Sequence, residues 1–324
     1  MRLRLVAASG QVEAEVASDD GAARIQEAVL RHEGGSEDRG RLEARRAGRF
    51  EETLARRIAE LASHSAERLE GLPVVVSGMA SSSIGWRELP YGTLPMALDG
   101  RSLPAARMSL TSAGRHEVLL VSGLRAEADV LRGEEVEALG LLSMERYHRF
   151  AADGLLVLPG THSKHLRVVG RRITTFQTFM TGELYDVMAR SSILRSSVDP
   201  AALEGAWWQT SPELSEVFRG AAAASQGRAL SASLFTVRAR QVLERRSPAW
   251  CAAHLSGLLV GAELAGAASS VPEATPILIG ASSRLETPYR LACDALGLER
   301  RVAFATGEEM TAAVVVGQRL LLEG

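Results

Sequence analysis

Three times in this sequence a short run of valine, leucine or isoleucine stops at a loop of glycine, serine and threonine. The runs lie in 72–79, 155–158 and 276–280, and the loops at their ends are 77–87, 159–164 and 280–283. Unbroken apolar runs of this length suit strands buried on both faces, as in a parallel sheet. Stretches with helical spacing separate them, and strands alternating with helices make an α/β architecture. In open sheets of that kind ligands sit beyond the carboxyl ends of the strands. The three loops are therefore where chemistry is expected.

The rest of the pattern fills in around these runs. Leu3, Leu5 and Val6, then residues 12–16, read as two strands about a turn at Gly10. Residues 21–34 resemble a helix closed by Gly34-Gly35, and 36–48 are charge-rich and read as a solvated stretch. Phe50, Leu54, Ile58, Leu61 and Leu69 recur at near-helical spacing over 49–70. A buried strand is expected at 117–122, a helix at 133–142, and a hairpin after residue 164 with Leu166, Val168 and Ile173 inward. From about 183 to 270 the chain reads as mostly helical, looser near 195–230. A helix at 287–296, a strand at 301–304 and a helix at 308–322 complete it. The expected division is 1–150 and 151–324, with the break near 145–152.

Composition removes several classes. A net charge of −2 over 324 residues lacks the electrostatic footprint of a nucleic-acid binder. No apolar run is expected to reach the ~20 residues that span a bilayer, and the apolar stretch after Met1-Arg2 is too short for a signal peptide. Two distant cysteines, Cys251 and Cys293, exclude a disulfide framework and a cysteine-based zinc site. The seven histidines include no H-x-x-x-H pair, and there is no G-x-S-x-G elbow and no G-x-G-x-x-G after a strand. A soluble, cytoplasmic globular protein is expected. Of 37 basic residues one is a lysine, Lys164. Lysine offers a compact point charge where arginine offers a planar fork, so this exception draws attention to its loop.

That loop is Pro159-Gly160-Thr161-His162-Ser163-Lys164. Glycine lets backbone approach a ligand closely, and successive amides, two hydroxyls and an ammonium suit a phosphate cradle. It does not match G-x-x-x-x-G-K-[ST], and a plain polar turn with a satisfied histidine fits the same residues. In Asp129-Val130-Leu131-Arg132-Gly133-Glu134-Glu135 acids stand where a loop becomes a helix. They suit a helix cap, and either Glu134 or Glu135 could remove a hydroxyl proton. Ser77, Gly78 and Met79 with Ser81–Ser83 and Trp86 suit a polar small-molecule pocket or an ordinary long loop. Thr178, Thr181, Gly182 and Glu183 form a second polar cluster. Gly280-Ala281-Ser282 suits the underside of a nucleotide, though glycine also ends strands for conformational reasons alone. Trp207-Trp208 is simplest as packing.

Taken together and in this order, these loops resemble the 2-dehydro-3-deoxygalactonokinase family. The carrying segments are Ser77-Gly78-Met79 with residues 84–91, then 129–135 and 158–164, then Phe176 with residues 180–185, then 255–263, and Ile279-Gly280 with Tyr289. The resemblance implies an actin-like ATPase fold, with two ribonuclease-H-like lobes around a nucleotide cleft. It implies ATP-dependent phosphorylation of 2-dehydro-3-deoxy-D-galactonate at the 6-hydroxyl, in a Leloir-independent galactose or galactonate route. Residues 1–150 would be the substrate-side lobe and 151–324 the nucleotide-side lobe. Gly160, Thr161, His162 and Ser163 match the family's second phosphate loop, Lys164 lies in the same motif, and Gly280 and Ala281 match its adenosine-side turn. Glu134 stands where related sugar kinases carry the activating acid. Ser77, Gly78, Met79, Trp86, Thr181 and Glu183 would touch the sugar acid. ATP and Mg²⁺ are the implied cofactors, with no metal ligand assigned. The expected partners are ATP and a small-molecule sugar acid, with no nucleic acid and no membrane; a homodimer is left open.

The chain departs from this pattern in one respect. Members of the family begin with a strand and an Asp-x-Gly-Thr-Thr loop ahead of a segment like Arg2-Leu3-Arg4-Leu5-Val6, and no such motif occurs among these 324 residues. The first phosphate loop, an aspartate that helps order Mg²⁺ and the opening strand of the first lobe are then missing. Either the start codon is misassigned or the protein is truncated in fact. The expectation is an impaired kinase, with a non-catalytic sugar-acid binder as the alternative.

Overall fold

The computed structural model describes residues 1–31, 38–112 and 114–324. The Gly34-Gly35 helix end and the start of the solvated stretch, at 36 and 37, lie outside the described residues. Two compact units emerge, Met1–Met144 with Ala312–Gly324, and Glu145–Thr311.

The first unit opens on an antiparallel hairpin of β1 (Arg2–Val6) and β2 (Val12–Ala17), followed by α1 (Ala22–Leu30) and α2 (Arg39–Ser63). Then come β3 (Val74–Val76), the two-residue β4 (Gly92–Thr93) and β5 (Met96–Ala97), β6 (Ala105–Leu110) and β7 (His116–Val121). Short β8 (Leu124–Arg125) and β9 (Val130–Leu131) lead into α3 (Glu134–Ser143). One sheet has the order β3–β7–β6, with β3 parallel and β6 antiparallel to β7. Helix α2 buries Phe50, Leu54, Ile58 and Leu61 against it and the hairpin, at i, i+4, i+8 and i+11. Its first turns come from the segment expected to be solvated. There an amphipathic helix carries its charges on the outer face, except Arg46, which is buried and donates to the Gly85 carbonyl at 2.8 Å.

A cavity of about 850 Å³ lies in this unit, lined by every residue of β1 and of β3 and by Phe50 and Leu54 of α2. It explains one difference from expectation. Val74, Val75 and Val76 pair with β7 on one edge but are half-buried rather than buried, because the cavity stands beside them. Strand β6 carries no unbroken apolar run. Its residues Ala-Ala-Arg-Met-Ser-Leu alternate between exposed and inward positions, so every second residue faces out and only Leu110 is fully buried.

The second unit contains α4 (His148–Ala152), β10 (Asp153–Leu158), β11 (Ser163–Val169), β12 (Arg172–Phe179) and α5 (Thr181–Ser191). Helices α6 (Trp207–Thr210), α7 (Pro212–Ala224), α8 (Leu230–Glu244) and α9 (Pro248–Ser269) follow, then β13 (Ile277–Gly280), α10 (Ser283–Ala295) and β14 (Val302–Ala305). Helix α11 (Gly307–Glu323) crosses the division in the chain. Within this unit the strands run in the order β14–β13–β10–β11–β12. Strands β10, β13 and β14 are parallel, and β10–β11–β12 is an antiparallel meander. Leu166, Val168 and Ile173 are fully buried in that meander, as their spacing predicts.

The stretch expected to be loose near 195–230 contains a regular helix. Pro212 starts α7 at a position where a missing N–H costs nothing, and Phe218, Ala221 and Ala222 form its buried face. Helix α9 corrects the bilayer expectation. Its 22 residues are long and apolar enough to span a membrane by length and composition, and 72% of its most apolar window is buried inside the protein. It is apolar all round because it is a core helix, packing against Val157, Phe218 and Ile279.

Candidate active site

In the second unit the carboxyl ends of three parallel strands share one edge. Leu158 of β10 leads into residues 159–162, Gly280 ends β13, and Ala305 ends β14. The turn between β10 and β11 sits directly on the first residues of α5. A Cβ added to Gly182 would lie 2.7 Å from the Gly160 carbonyl oxygen and 2.8 Å from Thr161 Cα, and the Glu183 amide donates to the Thr161 carbonyl at 3.1 Å. Only glycine at 182 permits that approach. It brings the partial positive charge of a helix N-terminus to the turn. The outer side of Gly160 is open, since a Cβ there would meet nothing nearer than the His162 nitrogen at 4.0 Å.

The turn's polar groups divide between surface and interior. Thr161 and His162 are exposed, and the His162 ring is paired with Glu183. Ser163 is fully buried, and its Oγ accepts the Gly160 N–H at 3.3 Å. Lys164 is 6% exposed, and its Nζ donates to Thr178 Oγ1 at 2.8 Å across the β11–β12 pair. Thr181 opens α5 beside the same turn. At Gly280 the structure shows tight packing, because a Cβ would meet Met310 Sδ at 2.6 Å and Leu158 Cδ2 at 2.9 Å. Ala281 is fully buried in the core.

The first unit gathers a second group. Gly78 and Gly133 both have positive φ, at 83° and 114°, and a Cβ at Gly133 would come within 3.4 Å of Gly78 Cα. Residues 77–79 and the start of α3 are therefore neighbours. Arg132 fixes them. Its guanidinium donates to the Ser81 carbonyl and to Ser81 Oγ, both at 2.6 Å, and lies 4.1 Å from the centre of the Tyr91 ring. Gln318 donates to Ser77 Oγ at 3.0 Å. Met79 is half exposed. Trp86 is 2% exposed, stacks on Phe50 at 5.6 Å and gives its indole N–H to Glu51 at 3.2 Å. It is a core residue under the loop, with its one polar atom already engaged.

Glu134 and Glu135 separate clearly. Glu135 is fully buried, and both its carboxylate oxygens accept the Gly133 N–H, at 2.9 and 2.7 Å. Burial pushes its carboxyl up to about 8, against the pull of those backbone donors. Glu134 is partly exposed, and one oxygen accepts the Arg132 N–H at 3.0 Å. One turn on, burial and the charge of Glu134 raise Glu137 to about 7. Gln318 lies in none of the sequence motifs, and Arg132 lies within the 129–135 segment without being singled out by it. Arg132 does lie two residues before Glu134, where an anchor for that loop belongs.

The model of the 2-keto-3-deoxy-galactonokinase family matches residues 1–316. The chain belongs to this family. A relative from Rhizobium meliloti (strain 1021), named "Probable 2-dehydro-3-deoxygalactonokinase DgoK1", is 35% identical over 240 residues, covering 72% of this chain and 74% of that one. The 2-dehydro-3-deoxygalactonokinase of Escherichia coli (strain K12) is 30% identical over 236 residues, with the same coverage. A crystal structure from Sinorhizobium meliloti, provisionally described as a 2-dehydro-3-deoxygalactonokinase protein, aligns with a TM-score of 0.74 at 30% identity, over 99% of this chain and 95% of that one. The family resemblance read from the loops is thus established over the whole length, and the mixed α/β fold matches a solved relative. These names do not favour a non-catalytic binder.

Proposed function

We propose that this member of the galactonokinase family transfers the γ-phosphoryl group of ATP to the 6-hydroxyl of 2-dehydro-3-deoxy-D-galactonate. The observation that carries the reading is the Gly160 turn, seated on the N-terminus of α5 at the carboxyl edge of β10, β13 and β14. Phosphoryl transfer depends mostly on positioning and charge neutralisation. Thr161 and His162 offer amides and side chains at an open surface, with Gly160 and Ser163 shaping the turn and Lys164 adding positive charge beneath it. Gly280 and Ala281 would form the adenosine side through backbone alone, since their side-chain space is filled. Glu134, the accessible acid of its pair, is proposed to accept the hydroxyl proton. Ser77, Gly78 and Met79 would contact the sugar acid, with Trp86 supporting their loop from the core. Thr181 and Glu183 would contact substrate groups at the turn. The first unit is then the sugar-acid side and the second the nucleotide side, acting in the cytoplasm.

Mg²⁺ is proposed to enter with ATP as part of the substrate. Among the described residues no group of three metal-binding side chains forms, and Glu183 beside the turn is engaged by His162. Magnesium commonly uses one or two carboxylates plus substrate phosphates. No step is assigned to a protein-held ion.

The same proposal includes an actin-like fold of two related lobes, from which one strand of the first is missing. Support comes from comparing the topologies. In the second unit β10 has the antiparallel pair β11–β12 on one side and the parallel pair β13–β14 on the other. The first unit has an antiparallel pair, β1–β2, and a parallel pair, β3–β7. Among its described residues no strand joins them, and the 850 Å³ cavity is lined by β1 and β3. A strand there, followed by the Asp-x-Gly-Thr-Thr loop, would complete the pattern. Losing one charge-stabilising element typically costs about 10²–10³ in rate.

The test measures ADP release with ATP, Mg²⁺ and the sugar acid. It uses the 324-residue chain and a form extended by such a strand and loop. Sugar-acid-dependent ADP from the extended form, with phosphate on the 6-hydroxyl, is expected, and at least 100-fold less from the shorter chain. No turnover by either form overturns the kinase reading. An ordinary rate of ~1–100 s⁻¹ from the 324-residue chain overturns the need for the missing loop.

A further inference from the structure

A line of buried polar groups runs inward from the Gly160 turn and ends in the middle of the apolar helix α9. Glu263, 2% exposed, stands there among alanine, leucine and glycine. One of its oxygens is 2.8 Å from His165 Nε2, and the other accepts the Tyr289 hydroxyl proton at 2.8 Å. Tyr289 Oη is 3.2 Å from Ser163 Oγ, which in turn accepts the Gly160 N–H at 3.3 Å. All four side chains are buried, and they come from β11, α9 and α10. The positions do not face the open side of the turn, so substrate contact does not explain them.

The donors and acceptors allow one order of protons. Tyr289 has a single hydroxyl proton, and Glu263 takes it. Tyr289 Oη can then only accept, and its partner is the Ser163 hydroxyl. With its proton committed inward, Ser163 presents lone pairs to the Gly160 amide. Burial and the neighbouring Glu263 carboxylate hold the Tyr289 hydroxyl well above its ordinary value, so it remains a donor throughout the working pH range. Pairing Glu263 with His165 on its other oxygen keeps that carboxylate from turning away. The His165 ring is held against Phe179, with centroids 4.3 Å apart.

We infer that Tyr289 and Glu263 are positioning residues for the Gly160 turn. Through Ser163 they fix the plane of the Gly160 peptide, and with it the direction in which the following amides of Thr161 and His162 point. This inference rests on the reading of that turn as the phosphate-holding loop. Amides that bind phosphate act well only if their orientation is set before the ligand arrives. A hydroxyl free to rotate would leave the turn several nearly equal conformations.

Two measurements separate the inference from that reading. The first is amide hydrogen exchange in the nucleotide-free protein, followed for the segment spanning residues 159–165. Tyr289→Phe should speed exchange there at least tenfold while α7 and α9 keep their protection. Ser163→Ala, a small change at a buried site, should do the same, and it serves if Tyr289→Phe does not fold. The double variant should exchange no faster than either single one, because both break one line of bonds. The second measurement is MgATP affinity by calorimetry, expected to fall about tenfold in each variant with sugar-acid affinity unchanged. Unaltered exchange in folded Tyr289→Phe or Ser163→Ala overturns the inference, as does additive behaviour in the double variant. Faster exchange with unchanged MgATP affinity overturns the link to phosphate. A parent chain that binds no MgATP removes the phosphate reading, while the exchange measurement still decides the positioning role.

Discussion

Glu134 and Glu135 are adjacent in the chain and face opposite problems. Glu135 points inward, bonds the Gly133 amide and has its carboxyl raised to about 8 by burial. At pH 7 it is mostly protonated, so Glu135→Gln should leave activity nearly unchanged. Glu134→Gln removes the accessible carboxylate and, measured on the extended form, should lower kcat by about 10²–10⁴ with the melting temperature kept. Comparable losses from both variants would remove the distinction. The raised carboxyls of Glu135 and Glu137 also set a pH trend. A folded group that holds its proton more tightly than the unfolded chain stabilises at low pH and loses that contribution as pH rises. Stability should therefore decline between about 4.5 and 8, the range bounded by the ordinary and the raised values. A Glu135→Gln, Glu137→Gln double variant should flatten the melting temperature over that range, and an equally steep decline in the variant would show that other groups carry the trend. The sequence marked both acids as candidates for one role. It could not separate them, because burial depends on how α3 packs, which spacing alone does not reveal. Trp86 shows the same limit, since a tryptophan in a polar loop reads as a ligand contact until its stack on Phe50 is seen.

At the scale of elements, the contact between the Gly160 turn and α5 is made by a missing side chain. Gly182→Ala would place a methyl 2.7 Å from the Gly160 carbonyl, where backbone has to give way. The expected cost is about 1–3 kcal/mol of stability with at least tenfold weaker MgATP binding. Thermal melting and calorimetry check both, and a variant with native affinity would show that the turn tolerates displacement. Thr181 and Glu183 were legible as a polar cluster, and their place beside the turn follows from the length of the β11–β12 hairpin. The apolar runs β10 and β13 were equally legible as interior elements, because unbroken apolarity has few other uses in a folded chain, whereas α9 was legible as helical but not as the long apolar core helix it is. Strand β6 and helix α7 were not. The first is half exposed, with Arg107 and Ser109 breaking its apolar run, and the second begins at a proline after an irregular stretch that gives no periodic signal. The inward line from Ser163 to Glu263 was invisible in the sequence, since its members lie up to 126 positions apart and meet only through packing.

For the molecule as a whole, the proposal that the first unit is one strand short of the second makes a prediction of its own. Among the described residues β1 and β3 are partnered on one edge each, by β2 and β7, and both line the same cavity. An unpaired edge exposes a row of backbone donors and acceptors, which invites a further strand. The cavity's lining adds Phe50, Leu54 and the three valines of β3, so the arriving segment would bury apolar side chains as well as form a ladder. A peptide of about six residues, β-branched and aliphatic, should therefore bind the 324-residue chain. Binding to the folded state alone raises stability by about 2.7 kcal/mol at a concentration 100-fold above Kd, which should appear as an upward shift in melting temperature. Hydrogen exchange gives the sharper reading. The amides of β1 and β3 should slow on binding, whereas those of β7, already paired on the far side of β3, should change little. The same peptide with proline at alternate positions, unable to donate along its length, should do neither. Protection spread evenly over the first unit, or equal binding by the proline peptide, would mean that the cavity takes apolar matter without forming a strand, and the reading of the first unit as an incomplete copy of the second would fail with it.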